Sequence, residues 1–299
     1  MTTLAARRRA NIAGWGFSAP FAAILGLFLL IPILASLVIS FTSFSIGNIQ
    51  AWGTTEFVGL DNYTKLFSDD TFVRSLRNTA YFVVVGVPCT IVLGLLLAVA
   101  LNQGIGKLRG LFRVGFYLPV VTSIVAIAVV WRYMLDPDVG ILNAALAQIG
   151  ISGPDWLGNP NTTMPSIIAL AVWRNIGNSM VIFLAALQTV DPQLYEAARV
   201  DGAKGRQLFR HVTVPMLRPA ILFTTVITTI GYLQVFEEPF VMTGPSGGAD
   251  QSGLTTSLFV YQQGFRFFNL GYASAAAYTL FVFIAVLAIV QFRFLRPKA

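Results

Sequence analysis

The chain has 299 residues, of which 56% are hydrophobic and only 11% are charged. Soluble domains contain about 25% charged residues, so this composition excludes an ordinary soluble protein and predicts an integral membrane protein. The formal net charge of +7 does not indicate nucleic-acid binding, because the basic residues are scattered between apolar runs instead of being gathered on one soluble face.

Six apolar runs follow one another along the chain, each close to the roughly 20 residues that a helix needs to cross a bilayer. The first run, over residues 15–44, is too long for the core of a signal peptide, and no clear cleavage site follows it. We therefore expect an uncleaved first span and a single all-α transmembrane domain over residues 1–299. The predicted spans are about 17–43, 78–101, 112–134, 165–188, 220–243 and 272–295.

The distribution of basic residues predicts the orientation of these spans. Fourteen Lys and Arg residues fall in one alternating set of segments and five in the other. By the positive-inside rule, both termini and the loop 189–219 lie in the cytoplasm. The inside set is Arg7, Arg8, Arg9, Lys107, Arg109, Arg113, Arg199, Lys204, Arg206, Arg210, Arg218, Arg293, Arg296 and Lys298.

Two residue types limit the chemistry of the chain. Cys89 is the only cysteine, which excludes an intrachain disulfide, and its apolar neighbours predict a buried, inert thiol. His211 is the only histidine, with no second His or Cys to make a metal site.

The fourth predicted span carries polar residues that are costly inside a membrane. Arg174 lies about mid-bilayer if the span begins at Pro165. Asn175 and Asn178 share one face of the helix, and Arg174 lies four residues before Asn178. These side chains either form hydrogen bonds between packed helices or line a polar substrate pocket.

The fifth predicted span adds Tyr232, Gln234 and Glu237. Amides, carboxylates and aromatic rings together suit a polyol, because they supply donors, acceptors and a ring face for C–H groups. Counted along a continuous helix, Glu237 lies close to the outer face. For Arg174 the sequence leaves two further roles open: it either pairs with Glu237 or Glu238, or binds a phosphate of the substrate.

The loop 189–219 is too long for an ordinary connection between helices and is expected to have structure of its own. Asp191 and Pro192 form a helix start, and Gly202 is placed to end the helix. Pro215 and Pro219 are expected to break the chain before it re-enters the membrane. A solvated cytoplasmic loop that simply obeys the positive-inside rule is the alternative.

The sequence Glu196-Ala197-Ala198, followed by Asp201-Gly202-Ala203, resembles the EAA loop of the membrane subunits of bacterial ABC importers. Residues 57–63, Phe-Val-Gly-Leu-Asp-Asn-Tyr, resemble a signature of the MalF-type permeases of sugar importers, and on its own pattern this segment is expected to be structural. The resemblance implies a six-helix type I importer permease. It also implies ATPase coupling through Tyr195, Glu196, Ala197, Ala198, Asp201, Gly202 and Ala203, and a sugar site that includes positions 174–178.

The same resemblance implies a multi-pass protein of the bacterial inner membrane that moves a small polar solute, a sugar or oligosaccharide, into the cytoplasm. Its expected partners are a second, MalG-type permease, a dimer of ATPase subunits and an extracytoplasmic substrate-binding protein. This chain has no phosphate-binding loop, Gly106-Lys107 being the nearest approach. It is therefore not an enzyme and has no cofactor, and ATP and Mg²⁺ bind to the partner ATPase.

Three alternatives remain at this stage. The same architecture is also used for a glycerophosphodiester or glycerol phosphate, which Arg174 favours. A stand-alone secondary transporter is less favoured because the sequence shows no internal repeat. An intramembrane enzyme is disfavoured because no hydrolase motif is present.

Overall fold

The computed structural model describes residues 4–48, 55–103 and 109–295, and the regular secondary structure among them is helical apart from one isolated β-bridge. Lys107, Arg296 and Lys298, which contribute to the predicted inside charge, lie outside the described residues. The α-helices are α1 Leu4–Leu25, α2 Ile31–Ile39, α3 Asp61–Ser68, α4 Asp70–Gln103, α5 Arg109–Val121, α6 Ile124–Met134, α7 Ile141–Gln148, α8 Pro160–Leu187, α9 Pro192–Val200, α10 Gly205–Leu208, α11 Val214–Met216, α12 Arg218–Leu233, α13 Glu237–Thr243, α14 Thr256–Tyr261 and α15 Leu270–Leu295.

Four helical stretches among the described residues are long and apolar enough to cross a membrane: Gly14–Ile39, Asp70–Asn102, Pro160–Leu187 and Leu270–Arg293. Two further pairs of helices pass the same test together but are sharply bent. Arg109–Val121 meets Ile124–Met134 at 97°, and Gly205–Met216 meets Arg218–Leu233 at 69°. Six spans result if each bent pair counts as one.

Two long helices begin earlier than the apolar pattern predicts. α4 begins at Asp70 and not near residue 78, because a side-chain oxygen of Asp69 accepts a hydrogen bond from the backbone N–H of Thr71 at 2.8 Å. α8 begins at Pro160 and not near residue 165, where Asn159 provides the same cap. Hydropathy reports only the apolar part of each helix, whereas capping residues fix its start.

Breaks in the backbone were not predicted. The third apolar run is divided between α5 and α6, and the fifth between α12 and α13, with residues 234–236 non-helical. The first span ends at Ile39 and not near residue 43, since Thr42 pairs with Phe57 in an antiparallel bridge. A continuous apolar run does not require a continuous helix.

The described part of residues 1–66, with residues 263–278, forms one compact unit. There the amide nitrogen of Asn62 donates to the carbonyls of Ser40 and Thr42, both at 2.9 Å. The hydroxyl groups of Tyr63 and Ser40 are 2.7 Å apart. The Phe57-to-Tyr63 signature therefore has a structural role, tying α3 to the end of α2.

Residues 67–262, with the described part of 279–299, form the second compact unit, in which α4 packs most extensively against α8. Glycines let backbones approach closely: a Cβ on Gly94 would lie 2.7 Å from Cβ of Ser179, and one on Gly177 would lie 2.0 Å from the carbonyl oxygen of Phe116. The single domain over 1–299 stays a prediction.

The predicted burial of Cys89 is wrong, because this residue is exposed on α4. An apolar sequence around a residue does not require burial inside a membrane protein, since hydrocarbon tails are as apolar as leucine side chains. Phe17 of α1, 90% exposed, illustrates the same outward-facing apolar surface.

Candidate substrate pocket and coupling segment

A polar pocket of about 260 Å³ opens in the second unit between α8, the end of α12 and the start of α13. All six residues predicted to form the substrate pathway line it: Arg174, Asn175, Asn178, Tyr232, Gln234 and Glu237. Sequence reasoning did not place six other lining residues in the site: Ser179, Ile227, Thr228, Gly231, Val235 and Glu238.

α8 supplies the first side of this pocket. Arg174 is 14 residues after Pro160, so it lies roughly 21 Å along the helix at 1.5 Å per residue. The position predicted from the sequence was counted from Pro165, whereas the helix begins at Pro160. Arg174 is nevertheless near the middle of this 28-residue helix. The amide nitrogen of Asn175 donates to the carbonyl of Ala171 at 2.8 Å, whereas Asn178 is exposed.

The break after α12 supplies the second side. The helix ends at Leu233, residues 234–236 are non-helical, and α13 begins at Glu237. Non-helical backbone at membrane depth is tolerated where it is buried in protein or lines a cavity, and here it presents Gln234 and Glu237 to the pocket. The continuous helix on which the predicted position of Glu237 was counted is therefore wrong.

One ion pair crosses the pocket. Nη1 of Arg174 lies 4.0 Å from Oε1 of Glu238, whose side chain is 7% exposed, whereas that of Arg174 is 26% exposed. Of the alternatives left open by the sequence, the structure shows pairing with Glu238. Its neighbour Glu237 is exposed and has no ion-pair partner in the described part of the chain. The adjacent glutamates at 237 and 238 were the available signal for including Glu238.

Tyr232 forms a wall of the pocket. The residue is 5% exposed, and its hydroxyl lies 2.7 Å from the hydroxyl of Thr90. Its ring packs edge-on against Phe82 with centroids 5.0 Å apart, and a Cβ on Gly86 would lie 2.8 Å from the ring. Because its hydroxyl bonds to Thr90, Tyr232 offers the pocket mainly its ring.

The helix predicted after Asp191 is confirmed as α9, Pro192–Val200, and its coupling role stays a prediction. The side chain of Asp191 caps it by accepting from the backbone N–H of Gln193 at 2.9 Å. Gly202 follows with φ +82°, a left-handed conformation that suits glycine at a helix end. Glu196 and Ala197 are exposed on this helix.

The break expected from Pro215 and Pro219 lies between these two prolines, where Gly205–Met216 meets Arg218–Leu233 at 69°. Gly205–Met216 is a helical stretch with a π turn at Phe209–Thr213, and Pro215 stays within it. Pro219 lies in the first turn of α12, where proline costs little because the N–H it lacks would have no partner there. The hydroxyl of Tyr195 lies 3.2 Å from that of Thr213, which joins α9 to this stretch.

The predicted coupling residues lie around two open grooves. One, of about 800 Å³, includes Tyr195, Glu196 and Ala203; the other, of about 280 Å³, includes Ala198, Asp201, Gly202 and Ala203. Ala197 lines neither groove and is exposed on α9. In the described ranges, no group of three or more His, Cys, Asp or Glu residues is placed to hold a metal ion.

Comparison with known proteins gives a consistent result. A family model described as "Binding-protein-dependent transport system inner membrane component" matches residues 90–298. The chain is 39% identical over 295 residues to the lactose transport system permease protein LacF of Rhizobium radiobacter, covering 98% of this chain and 97% of that protein. It is 33% identical over 278 residues to the arabinooligosaccharides transport system permease protein AraP of Bacillus subtilis (strain 168), covering 93% and 86%.

The fold has a similar solved structure. A chain in the crystal structure of a bacterial ABC transporter involved in the import of the acidic polysaccharide alginate superposes with a TM-score of 0.83 at 25% identity. The superposition covers 96% of each chain.

Proposed function

The chain belongs to the family of inner membrane components of binding-protein-dependent transport systems, and we propose that the solute it carries is a carbohydrate. As a member it is a multi-pass permease subunit of an ABC importer, and ATP is hydrolysed by a separate subunit. LacF and AraP are named for lactose and for arabinooligosaccharides, and the solved transporter imports alginate. These names support a sugar or an oligosaccharide as the substrate.

The observation that carries the proposal is the pocket at the α12–α13 break. A pocket near the middle of a membrane helix would normally be apolar, yet this one gathers two asparagines, a glutamine and a tyrosine ring. Side-chain amides can donate to and accept from sugar hydroxyls, and an aromatic ring can pack against the C–H face of a sugar.

The alternative substrate, a glycerophosphodiester or glycerol phosphate, depends on an available cation. Among the described residues, only Arg174 brings a basic side chain to the lining of the pocket, and Glu238 lies 4.0 Å from its Nη1. A phosphate would have to compete with that carboxylate and also approach Glu237. The pocket therefore supports a carbohydrate better than a phosphorylated polyol.

Energy input is proposed to enter through α9. Its exposed Glu196 is proposed to contact a basic residue of an ATPase subunit, and the Tyr195–Thr213 hydrogen bond would pass movement of α9 to the stretch Gly205–Met216. That stretch leads through the 69° bend into α12, whose end forms the pocket. ATP-driven closure of the ATPases would thus reach the pocket through consecutive segments of chain.

The complete importer is proposed to contain a second, MalG-type permease and a dimer of ATPase subunits beside the binding protein. Purification of the tagged chain from its native membrane in mild detergent, followed by mass spectrometry, tests this composition. A second permease and a subunit with a phosphate-binding loop are the expected companions. Recovery of the chain alone, still moving solute in liposomes without ATP, would contradict it.

Carbohydrate binding is tested with Asn178→Ala in the reconstituted transporter. Loss of one or two hydrogen bonds to a sugar, each about 1 kcal/mol, should raise the half-saturating sugar concentration about five- to thirtyfold. Asn161→Ala is the matched control, because Asn161 is exposed on the same helix but does not line the pocket. Equal behaviour of the two variants would remove the pocket from the substrate pathway.

A further inference from the structure

The pocket holds an uncompensated negative charge. Its charged lining residues are one arginine and two glutamates, so its formal charge at neutral pH is negative. Every other residue that lines it is uncharged at this pH. The arrangement of the three groups decides which charge a solute would meet.

Arg174 and Glu238 face each other inside the protein. Nη1 of Arg174 and Oε1 of Glu238 are 4.0 Å apart, and the glutamate side chain is only 7% exposed. At that distance and degree of burial, each charge is the nearest compensation for the other. The charge of the guanidinium is thus offset by a group of the protein itself, at a distance longer than a hydrogen bond.

Glu237 differs from Glu238 in both its exposure and its ion pairing. It is exposed where Glu238 is buried, and in the described part of the chain it has no ion-pair partner. It stands at the first position of α13, next to the non-helical residues 234–236.

We propose that Glu237 sets the charge selectivity of the pocket, so that it admits neutral sugars and sugars bearing a protonated amino group and excludes uronic acids and sugar phosphates. An anion would meet the Glu237 carboxylate without a free cation to offset the repulsion. A neutral polyol can instead donate hydroxyl protons to the same carboxylate. This inference rests on the proposed role of the pocket as the substrate pathway and assigns the discrimination to one residue.

The electrostatic potential can be measured without knowing the natural sugar. Gly231 lines the pocket, and a Cβ added there meets no atom within 4 Å, so Gly231→Cys places a thiol in open space. The exposed native thiol is removed by Cys89→Ala. The thiol introduced by Gly231→Cys is then reacted, in the complete transporter, with two methanethiosulfonates of opposite charge. The cationic reagent is the trimethylammonium-ethyl compound, and the anionic reagent is the sulfonatoethyl compound.

The ratio of the cationic to the anionic reaction rate, divided by the same ratio for free cysteine, is expected to be roughly fivefold or more, because each rate responds to the potential in the opposite sense. Glu237→Gln should bring this normalised ratio close to one, and Glu237→Asp should retain it. Asp138→Asn is the matched control, because it removes one exposed carboxylate of the same unit that does not line the pocket.

A normalised ratio of one in the protein with native Glu237 would overturn the inference, as would an equal fall in the Asp138→Asn control. Neither result would affect carbohydrate transport, which the uptake measurement on Asn178→Ala judges separately. A chain that transports no carbohydrate would instead remove the proposed function, whatever the ratio.

Discussion

The substrate pocket and the coupling segment are built in opposite ways, although both lie in the unit formed by residues 67–262. In the pocket, Arg174 is matched by Glu238 from a distant part of the chain. In the coupling segment, α9 is set by its own neighbours Asp191 and Gly202, and Glu196 is left exposed. The pocket depends on tertiary packing, whereas α9 depends on local sequence, and its exposed Glu196 is proposed to meet a partner subunit.

The largest expected effect on transport follows from reversing the charge of Glu196. If the exposed carboxylate meets a basic residue of the ATPase, Glu196→Lys replaces attraction by repulsion and should cost about 2 kcal/mol or more. Solute uptake by the reconstituted transporter should fall more than about thirtyfold while ATP hydrolysis persists. Gln193→Lys is the control, since Gln193 is exposed on the same helix outside both grooves. Undiminished uptake by Glu196→Lys would show that α9 has no coupling role.

The packing that supports the pocket is tested at Gly177. A Cβ there would lie 2.0 Å from the backbone carbonyl oxygen of Phe116, so Gly177→Ala must separate α8 from α5. Overpacking of this kind costs about 3 kcal/mol at its upper range, measurable as a lower Tm of the purified protein in detergent. Gly115→Ala on α5 is the control, because its Cβ meets nothing within 4 Å. Equal Tm values for the two variants would contradict the close α5–α8 contact.

The internal ion pair is tested by removing one partner and then both. Arg174→Gln leaves Glu238 unpaired and should destabilise the protein by about 2 kcal/mol. This is less than the about 3–5 kcal/mol of fully buried pairs, because the Arg174 side chain is 26% exposed. Adding Glu238→Gln should restore most of the Tm, as expected for coupled residues. A double variant as unstable as the sum of the single variants would mean that the two side chains do not interact.

The smallest effect is expected at the link between α9 and the stretch that follows it. Tyr195→Phe removes the hydroxyl that lies 3.2 Å from that of Thr213, and one such bond contributes about 1 kcal/mol. Uptake per ATP hydrolysed should fall by about half or more, without loss of ATPase binding on co-purification. A Tyr195→Phe variant that loses the ATPase would place Tyr195 in the docking surface instead.

The same contrast explains which structural features were predictable from the sequence. The cap, the start and the end of α9 were predicted because Asp191, Pro192 and Gly202 act within one turn of their own position. Six of the twelve lining residues of the pocket were identified individually, because polar side chains in apolar runs are conspicuous. The arrangement of these residues around the pocket was not predicted. The break after Leu233 and the pairing of Arg174 with Glu238 depend on how α8 packs beside that break.

A proline pair and the cysteine show how context decides the outcome. The break expected from Pro215 and Pro219 lies between them, whereas Pro215 itself stays within the helical stretch Gly205–Met216. Cys89 was expected to be buried, but an apolar surface in this class of protein also faces outward. Residue type indicates what a position tolerates, whereas backbone context and solvent determine what it does.

The most direct test of this division of roles measures sugar uptake and ATP hydrolysis together in proteoliposomes that contain the complete transporter. Asn178→Ala should raise the half-saturating sugar concentration and leave the uptake per ATP at saturation unchanged. Glu196→Lys should do the reverse, lowering the uptake per ATP even at saturating sugar. If both variants change the same quantity, or if Glu196→Lys keeps the uptake per ATP, the pocket and the coupling helix do not have the separate roles assigned to them.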